Sequence, residues 1–246
     1  MKLLNVQQIR DWDSWTIRKE AIASTGLMER AGKACTEYLL TKFSRDHAFL
    51  IYCGQGNNGG DGLVIARLLS GYGYRVAVLI VQHSKHRSED FLLNLDRLRK
   101  VPEVSIREIG QERDLRQMEL ADPEPKRMVV IDSLLGSGIS KPLEGLLAAA
   151  VHHINSSGNT VVSIDVPAGL PADAGQWDAD RYRSVVSAST TLTFQVPKTS
   201  FLFPDSGKFC GNLKIMDIGL QEEFLQQVST ELEYVDEAFV APLIRP

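Results

Sequence analysis

The stretch AFLIYCGQGNNGGDGLVIARLL, residues 48–69, decides the fold. Its first six residues, Ala48–Cys53, form an apolar run rich in strand formers and too short for a helix. Gly54–Gly62 then carries five glycines in nine residues, and a segment with helical spacing runs from Leu63 to Tyr72. A strand, a glycine turn and a helix open a βαβ unit. The alternation repeats: RVAVLIVQ, VSIREI, RMVVID, NTVVSID, TTLTFQV and LKIMDIG are further short β-rich runs, with amphipathic segments at Ser88–Val101 and Glu144–Asn155. The runs are apolar throughout rather than alternating, the mark of strands covered on both faces. The expected fold is α/β, a Rossmann-like doubly wound, mostly parallel sheet with helices on both faces.

Upstream, Val6, Ile9, Trp12 and Ile17 keep to one helical face, and Asn5 with Gln8 has the spacing of a capping box. A break at Ser24–Gly26 precedes a second helix written by Leu27, Met28, Ala31, Cys35, Tyr38 and Leu39. We therefore expect one domain, 1–246, in which a helical segment 1–45 packs on a Rossmann-like core 46–246. Asp173–Arg183, DAGQWDADRYR, reads as a polar surface loop.

The 246 residues carry 27 Lys and Arg against 31 Asp and Glu, a net charge of −4, whereas nucleic-acid binders are usually basic. No nucleic-acid partner is expected. Cys35, Cys53 and Cys210 are odd in number and form no Cys-x-x-Cys pair, which suits a reducing compartment. No apolar run approaches the roughly 20 residues that cross a membrane, and the apolar start breaks at Asn5, too early for a secretory signal. The expectation is a cytoplasmic protein with no membrane partner.

In such a sheet, ligands bind outside the carboxyl ends of the strands. Here Cys53 runs into GQGNNGGDG, Ile131 into DSLLGSG, Ile164 into DVPAG and Val196 into PK. Gly54-x-Gly56-x-x-Gly59 matches the dinucleotide fingerprint, but the next strand ends in Val81-Gln82-His83, without the acid that takes a ribose hydroxyl. Gly60 and Asp61 stand where a P-loop needs Lys and Ser or Thr. Glycines and a helix start still suit an anion, and Gly59 and Gly60 are expected to bring their backbone against a ligand phosphate. Asp132 and Asp165 each follow a strand directly; a carboxylate there can accept hydrogen bonds, ligate a cation or shuttle a proton. The loop Gly136-Ser137-Gly138-Ile139-Ser140-Lys141-Pro142 suits a phosphate or a carboxamide. His152-His153 and His83 with His86 lack a third metal ligand, and without a Gly-x-Ser-x-Gly elbow a covalent hydrolase is not expected.

At GQGNNGGDGLVIARLL the chain resembles the YjeF N-terminal domain family, the NAD(P)H-hydrate epimerases. LMERAG upstream and DSLLGSGISKPLEG, SIDVPAGL, TLTFQVPK and GNLKIMDIGL downstream keep the family's order. The resemblance implies a Rossmann-like fold, a homodimer, and repair of hydrated NADH and NADPH by interconverting the R and S epimers at the hydroxyl-bearing ring carbon. By that resemblance Asn57, Asn58, Gly59, Gly60 and Asp61, with Gly136 to Pro142, are substrate-binding loops, and Asp165 is the pocket aspartate; the acid–base chemistry of epimer exchange makes Asp165 the expected proton shuttle. Asn58, Asp132 and position 168 match a potassium site with one ion per subunit. Ala168 replaces the family's usual Ser and offers only its carbonyl; Arg30 and Ser189 also depart from the usual Asn and Asp. No redox cofactor is implied. The alternatives are a non-catalytic dimeric binding module of the same fold and a nicotinamide-dependent oxidoreductase.

Two expectations complete the reading. Asp165→Asn should abolish activity with little change in melting temperature. A helix from Asp236 through Ala238, Val240, Ala241, Leu243 and Ile244 has an apolar side, and in bifunctional family members an ADP- or ATP-dependent dehydratase follows this domain. Residues 1–246 are therefore expected to be the epimerase half of a longer repair enzyme.

Overall fold

A computed structural model of the chain describes residues 1–117, 127–235 and 237–244. Its strands are β1 (Ala48–Cys53), β2 (Arg75–Val81), β3 (Ser105–Ile109), β4 (Met128–Ser133), β5 (Thr160–Ile164), β6 (Thr190–Phe194) and β7 (Asn212–Met216). They lie in the order β3-β2-β1-β4-β5-β6-β7, and each neighbouring pair is parallel. The chain runs outward from β1 to β3, returns to β4, and runs outward the other way to β7. The reversal lies between β1 and β4, where Cys53 pairs with Ser133. A doubly wound sheet opens its ligand crevice at such a point.

Alternate residues of each strand face opposite sides, so a central strand must bury both. Phe49, Ile51 and Cys53 pack with Cys35 and Leu39 of α2 (Ser24–Lys42), Leu63, Ile65 and Leu69 of α3 (Asn57–Gly71), and Phe91 and Leu95 of α4 (Glu89–Leu98). Leu50 and Tyr52 face Leu115 of α5 (Glu112–Arg116) and Ala150, Val151 and Ile154 of α6 (Gly145–Ser156). The edges depart from this pattern: β3 buries only Ile109 and β7 no residue. Arg107, Glu108 and Lys214 fit edge strands, where charge discourages pairing with another chain.

Helix α1 (Val6–Glu20) starts at the capping box: Gln8 N–H donates to Asn5 Oδ1 at 2.8 Å and Asn5 N–H to Gln8 Oε1 at 3.0 Å. It packs through Trp12 with Leu27, Ala31, Ile218, Leu220 and Phe224. The break before α2 falls at Ala21–Ala23, not at Ser24–Gly26. Ala21 turns left-handed with φ 52° to cap α1, while Gly26 N–H closes the first turn of α2 on Ala23 O at 2.8 Å. Past the sheet's centre lie short α7 (Pro204–Gly207) and α8 (Glu223–Gln227). The loop read at Asp173–Arg183 is irregular and mostly exposed except for a single 3-10 turn at Ala174–Gln176, with Tyr182 buried and stacked on Trp177. Helix α9 runs Glu237–Ile244 with Phe239, Leu243 and Ile244 exposed; Asp236, Arg245 and Pro246 lie outside the described residues.

Close approach of α2 to α3 depends on one glycine. A Cβ on Gly32 would lie 2.4 Å from Val64 Cγ1 and 2.8 Å from Val64 Cβ, whereas on Gly26 its nearest neighbour would be Ile22 Cβ at 3.8 Å. Gly32→Ala is expected to cost about 1–3 kcal/mol by overpacking. Gly26→Ala is expected to add up to about 1 kcal/mol by removing backbone entropy from the unfolded chain. Urea denaturation of the two variants reads both signs, and equal midpoints would show that the helices have room to separate.

Candidate active site

Strands β5 and β6 end in the same tight turn. Asp165 and Gln195 have φ of 63° and 58°, and the following residues, Val166 and Val196, return their N–H to Ile164 O and Phe194 O at 2.8 and 2.7 Å. A proline follows each valine. Non-glycine residues in this region store about 1–3 kcal/mol of strain and persist where surroundings over-determine them. Sheet bonds supply part of that constraint: Asp165 N–H donates to Leu192 O at 2.8 Å and Gln195 N–H to Met216 O at 2.9 Å. Gln195 Oε1 also accepts from Ile218 N–H at 3.0 Å.

Lys198 supplies the rest. Only 1% exposed, it places Nζ 2.8 Å from Asp165 Oδ1 and donates to Thr193 Oγ1 and Phe194 O at 3.0 and 3.1 Å. Asp165 Oδ2 accepts from Ser137 N–H at 3.3 Å. That contact draws the 136–142 loop across the end of β5. Gly136 makes the passage possible, since a Cβ there would lie 3.1 Å from Asp165 Oδ2 and 3.4 Å from Asn58 Cγ. Asn58 is buried, and among the described residues neither its amide oxygen nor its nitrogen has a partner.

Two adjoining cavities, about 420 and 580 Å³, meet at this point and share Arg10, Asp13, Asn57, Asp61, Ser137, Asp165 and Phe194. The smaller has an apolar wall of Ile9, Trp12, Leu27, Met28, Val196 and Ile218, with Lys198 and Gln195 on the sheet side. The larger follows Gly56–Asn58 and the loop from Leu134 to Leu143. Burial pushes the Asp61 carboxyl well above the carboxylate range, helped by Asp165, Asp13 and Asp90. Asp13 is raised to about 7 by burial and by Asp165, against the opposing charge of Lys198.

Of the residues expected from sequence, Asn57, Asn58, Asp61, Gly136 to Pro142 and Asp165 line these cavities. Gly59 and Gly60 are not among the lining residues. A Cβ on Gly59 would strike Gly54 O at 2.0 Å, and on Gly60 it would strike Met28 Sδ at 2.7 Å: both glycines admit close packing behind the cavity wall. Asp132 and Ala168 also lie behind it. Asp132 Oδ2 accepts from Ser163 Oγ at 2.8 Å and Ala168 N–H at 2.9 Å, and Oδ1 accepts from Leu134 N–H at 3.2 Å. Burial raises its carboxyl to about 6, offset by these three bonds. Arg30 is tied to Glu20 on α1, and Ser189 sits at the opposite end of β6, so neither departure touches the cavities. His153 Nδ1 is paired with Tyr52 Oη at 2.7 Å on the far face of the sheet.

Sequence reading missed Lys198, Asp13 and Arg10. Lys198 stood in the quoted strand-end PK and carried the signal of position. Arg10 and Asp13 share one face of α1 with Ile9 and Ile17, a pattern legible as a wall only once α1 is known to cover the crevice.

A switch-point crevice in a Rossmann-like sheet, with two cavities meeting at a lysine-bound aspartate, defines a small-molecule-binding α/β protein. The model of the YjeF-related protein N-terminus matches residues 24–200, and the chain belongs to that family. It is 34% identical to an NAD(P)H-hydrate epimerase of Lentilactobacillus buchneri over 88% of this chain and 94% of that one. A second NAD(P)H-hydrate epimerase, from Rhodopirellula baltica, is 30% identical over 92% of this chain and 88% of its own. The bifunctional NAD(P)H-hydrate repair enzyme Nnr of Thermofilum pendens is 31% identical over 98% of this chain, which spans 45% of that enzyme. The crystal structure of yeast ynu0 has the same fold, with a TM-score of 0.72 over 96% of this chain and 98% of that one at 19% identity.

The acidic groups make stability depend on pH with a definite sign. Asp13 titrates at about 7 in the fold against 3.8 ordinarily, so the folded chain holds this proton more tightly than the unfolded chain. Below about pH 4 both forms are protonated and nothing is lost; stability then falls as pH rises and levels off above about 7. Asp61 and Asp132 act in the same direction. The urea midpoint is expected to fall between pH 5 and pH 8, and to fall less in Asp13→Asn. Parallel profiles for the two proteins would remove Asp13 from this balance.

Proposed function

We propose that the protein is an NAD(P)H-hydrate epimerase, an isomerase interconverting the R and S epimers of hydrated NADH and NADPH. The observation that carries this reading is the Asp165–Lys198 pair at the junction of the two cavities, in a chain so similar to proteins of that name. The epimeric carbon bears a ring nitrogen and a hydroxyl. Protonating the hydroxyl expels water and leaves a cation stabilised by nitrogen, which water attacks from the other face; ring opening and reclosure reach the same product. Either route needs an acid and a base and changes no oxidation state, so it calls for no redox cofactor.

In this proposal Asp165 moves the proton, and Lys198 with Ser137 N–H fixes its carboxylate orientation. Asp13, which keeps its proton up to about pH 7, offers an acidic group in the same cavities. The apolar wall excludes bulk water from the ring. The proposal includes a potassium ion held by Asn58, Asp132 and the Ala168 carbonyl. Asn58, buried and unpartnered, and Asp132, buried with no ion pair among the described residues, fit a hard cation, which takes oxygen ligands. The Ala168 carbonyl accepts from Val186 N–H at 2.9 Å and has one lone pair left. When bound, the ion would supply positive charge beside Asp132. The reading extends to a homodimer in the cytoplasm, supported by the family resemblance and by Cys35, Cys53 and Cys210 being buried and free. A companion dehydratase domain is proposed from the likeness to the bifunctional enzyme, of which this chain spans 45%.

Asp165→Asn is expected to lower epimer exchange by about 10²–10⁴-fold. It also strands a buried ammonium, so a loss of about 3–5 kcal/mol replaces the expectation of an unchanged melting temperature. The double variant Asp165→Asn/Lys198→Met removes the stranded charge and should regain part of the stability and none of the activity. Chromatographic separation of the epimers and thermal denaturation read the two effects; exchange at the unmodified rate in either variant would remove Asp165 from the mechanism.

A further inference from the structure

Arg10 is a cation without a partner among the described residues. It is exposed on α1, and among the described residues no hydrogen bond or ion pair engages its guanidinium, although Asp13 lies one turn further along the same helix. It nevertheless lines both cavities. Its Nη2 lies over Gly138, where a Cβ would come within 3.1 Å of it, so the glycine leaves the guanidinium room against the loop.

Charge along the cavities is uneven. Asp13, Asp61 and Asp165 line both, and the cation on the sheet side of the smaller one, Lys198, is already committed to Asp165. The smaller cavity, with its apolar wall, therefore offers a phosphate no uncommitted cation other than the shared Arg10. Along the larger cavity run glycine-containing loops, Lys141 and the first turn of α3, whose leading N–H groups have no helical acceptor. Arg10 stands between the two environments. Resting on the proposed epimerase function, we infer that Arg10 grips the diphosphate of the dinucleotide where the two cavities join, with the hydrated ring in the smaller cavity beside Asp165 and the adenylate side in the larger. A planar guanidinium with paired donors matches phosphate oxygens in a way that a lone ammonium does not.

The test compares three substrates that differ in phosphate content: the hydrates of NADH, reduced nicotinamide mononucleotide and reduced nicotinamide riboside. In Arg10→Met, the ratio of kcat/KM for the NADH hydrate to that for the riboside hydrate should fall about 10–100-fold, chiefly through KM, as loss of a charge-assisted contact implies. Arg10→Lys should recover part of the ratio, because it keeps charge and loses the fork. An unchanged ratio overturns the inference, whether every rate falls together or none does. Calorimetric titration with ADP-ribose, which carries the diphosphate without the nicotinamide, separates this inference from the reading beneath it. If the unmodified protein fails to exchange epimers yet binds ADP-ribose more tightly than Arg10→Met does, the epimerase reading falls and the Arg10 contact stands. If it exchanges epimers and both proteins bind ADP-ribose equally, the Arg10 contact falls alone.

Discussion

An ammonium group taken almost wholly out of water is the constraint around which the site is arranged. Lys198 is 1% exposed, and the cost of dehydrating its charge is met only if oxygens surround it. Those oxygens come from Asp165 at the end of β5 and from Thr193, Phe194 and Val196 at and beyond the end of β6. Holding them together fixes both strand-end turns, including the left-handed backbone at Asp165 and Gln195. Once Asp165 is fixed, its second oxygen receives Ser137 N–H and Gly136 passes between it and Asn58, which sets the loop against the start of α3. Four strand ends thus reach one small volume through a chain of contacts that begins at one lysine.

The central strands were legible because burial on both faces leaves no room for polar alternation, and Ala48–Cys53 and Met128–Ser133 bury five or more of their six residues. The edge strands were legible by position more than by composition, since Ser105–Ile109 carries Arg107 and Glu108 where water replaces a covering helix. Strand ends pointed to the crevice, and the acids at Asp132 and Asp165 were found there. Their difference in role was less visible: Asp132 knits β4 to β5 behind the wall, while Asp165 faces the cavities. Position along a strand gives depth in the sheet but not the face from which a loop covers it. Gly59 and Gly60, read as ligand contacts, also stand where the neighbouring backbone of Gly54 and the Met28 thioether leave no room for a Cβ. Arg10 and Asp13 come from a helix that ends at Glu20, well before the first strand starts at Ala48, and local pattern alone carries no information about that docking.

The raised carboxyls have a common cause. Burial leads for Asp13, Asp61 and Asp132, and mutual repulsion adds to it for Asp13 and Asp61. A stable fold does not need three acids in such surroundings, because each resists ionisation and weakens the protein as pH rises. Of the three, Asp13 and Asp61 line the cavities, where the proposed proton transfer can use an acid that keeps its proton until the reaction takes it.

The wall that carries Arg10 and Asp13 is held differently from the floor. Floor residues sit on strand ends locked by the sheet, whereas α1 is anchored to the far end of the chain. Trp12 Nε1 donates to Gln221 O at 2.8 Å and stacks on Phe224, and Lys2 Nζ donates to Leu225 O and Val228 O at 2.6 and 2.7 Å. Leu3 N–H to Leu232 O and Thr230 Oγ1 to Leu3 O complete the clasp. Trp12 and Phe224, with Leu225 and Val228 against them, belong to an apolar cluster distinct from the two that cover the sheet. The site therefore joins a floor set by the hydrogen bonds of two strand ends to a wall set by contacts with the segment that follows the last strand.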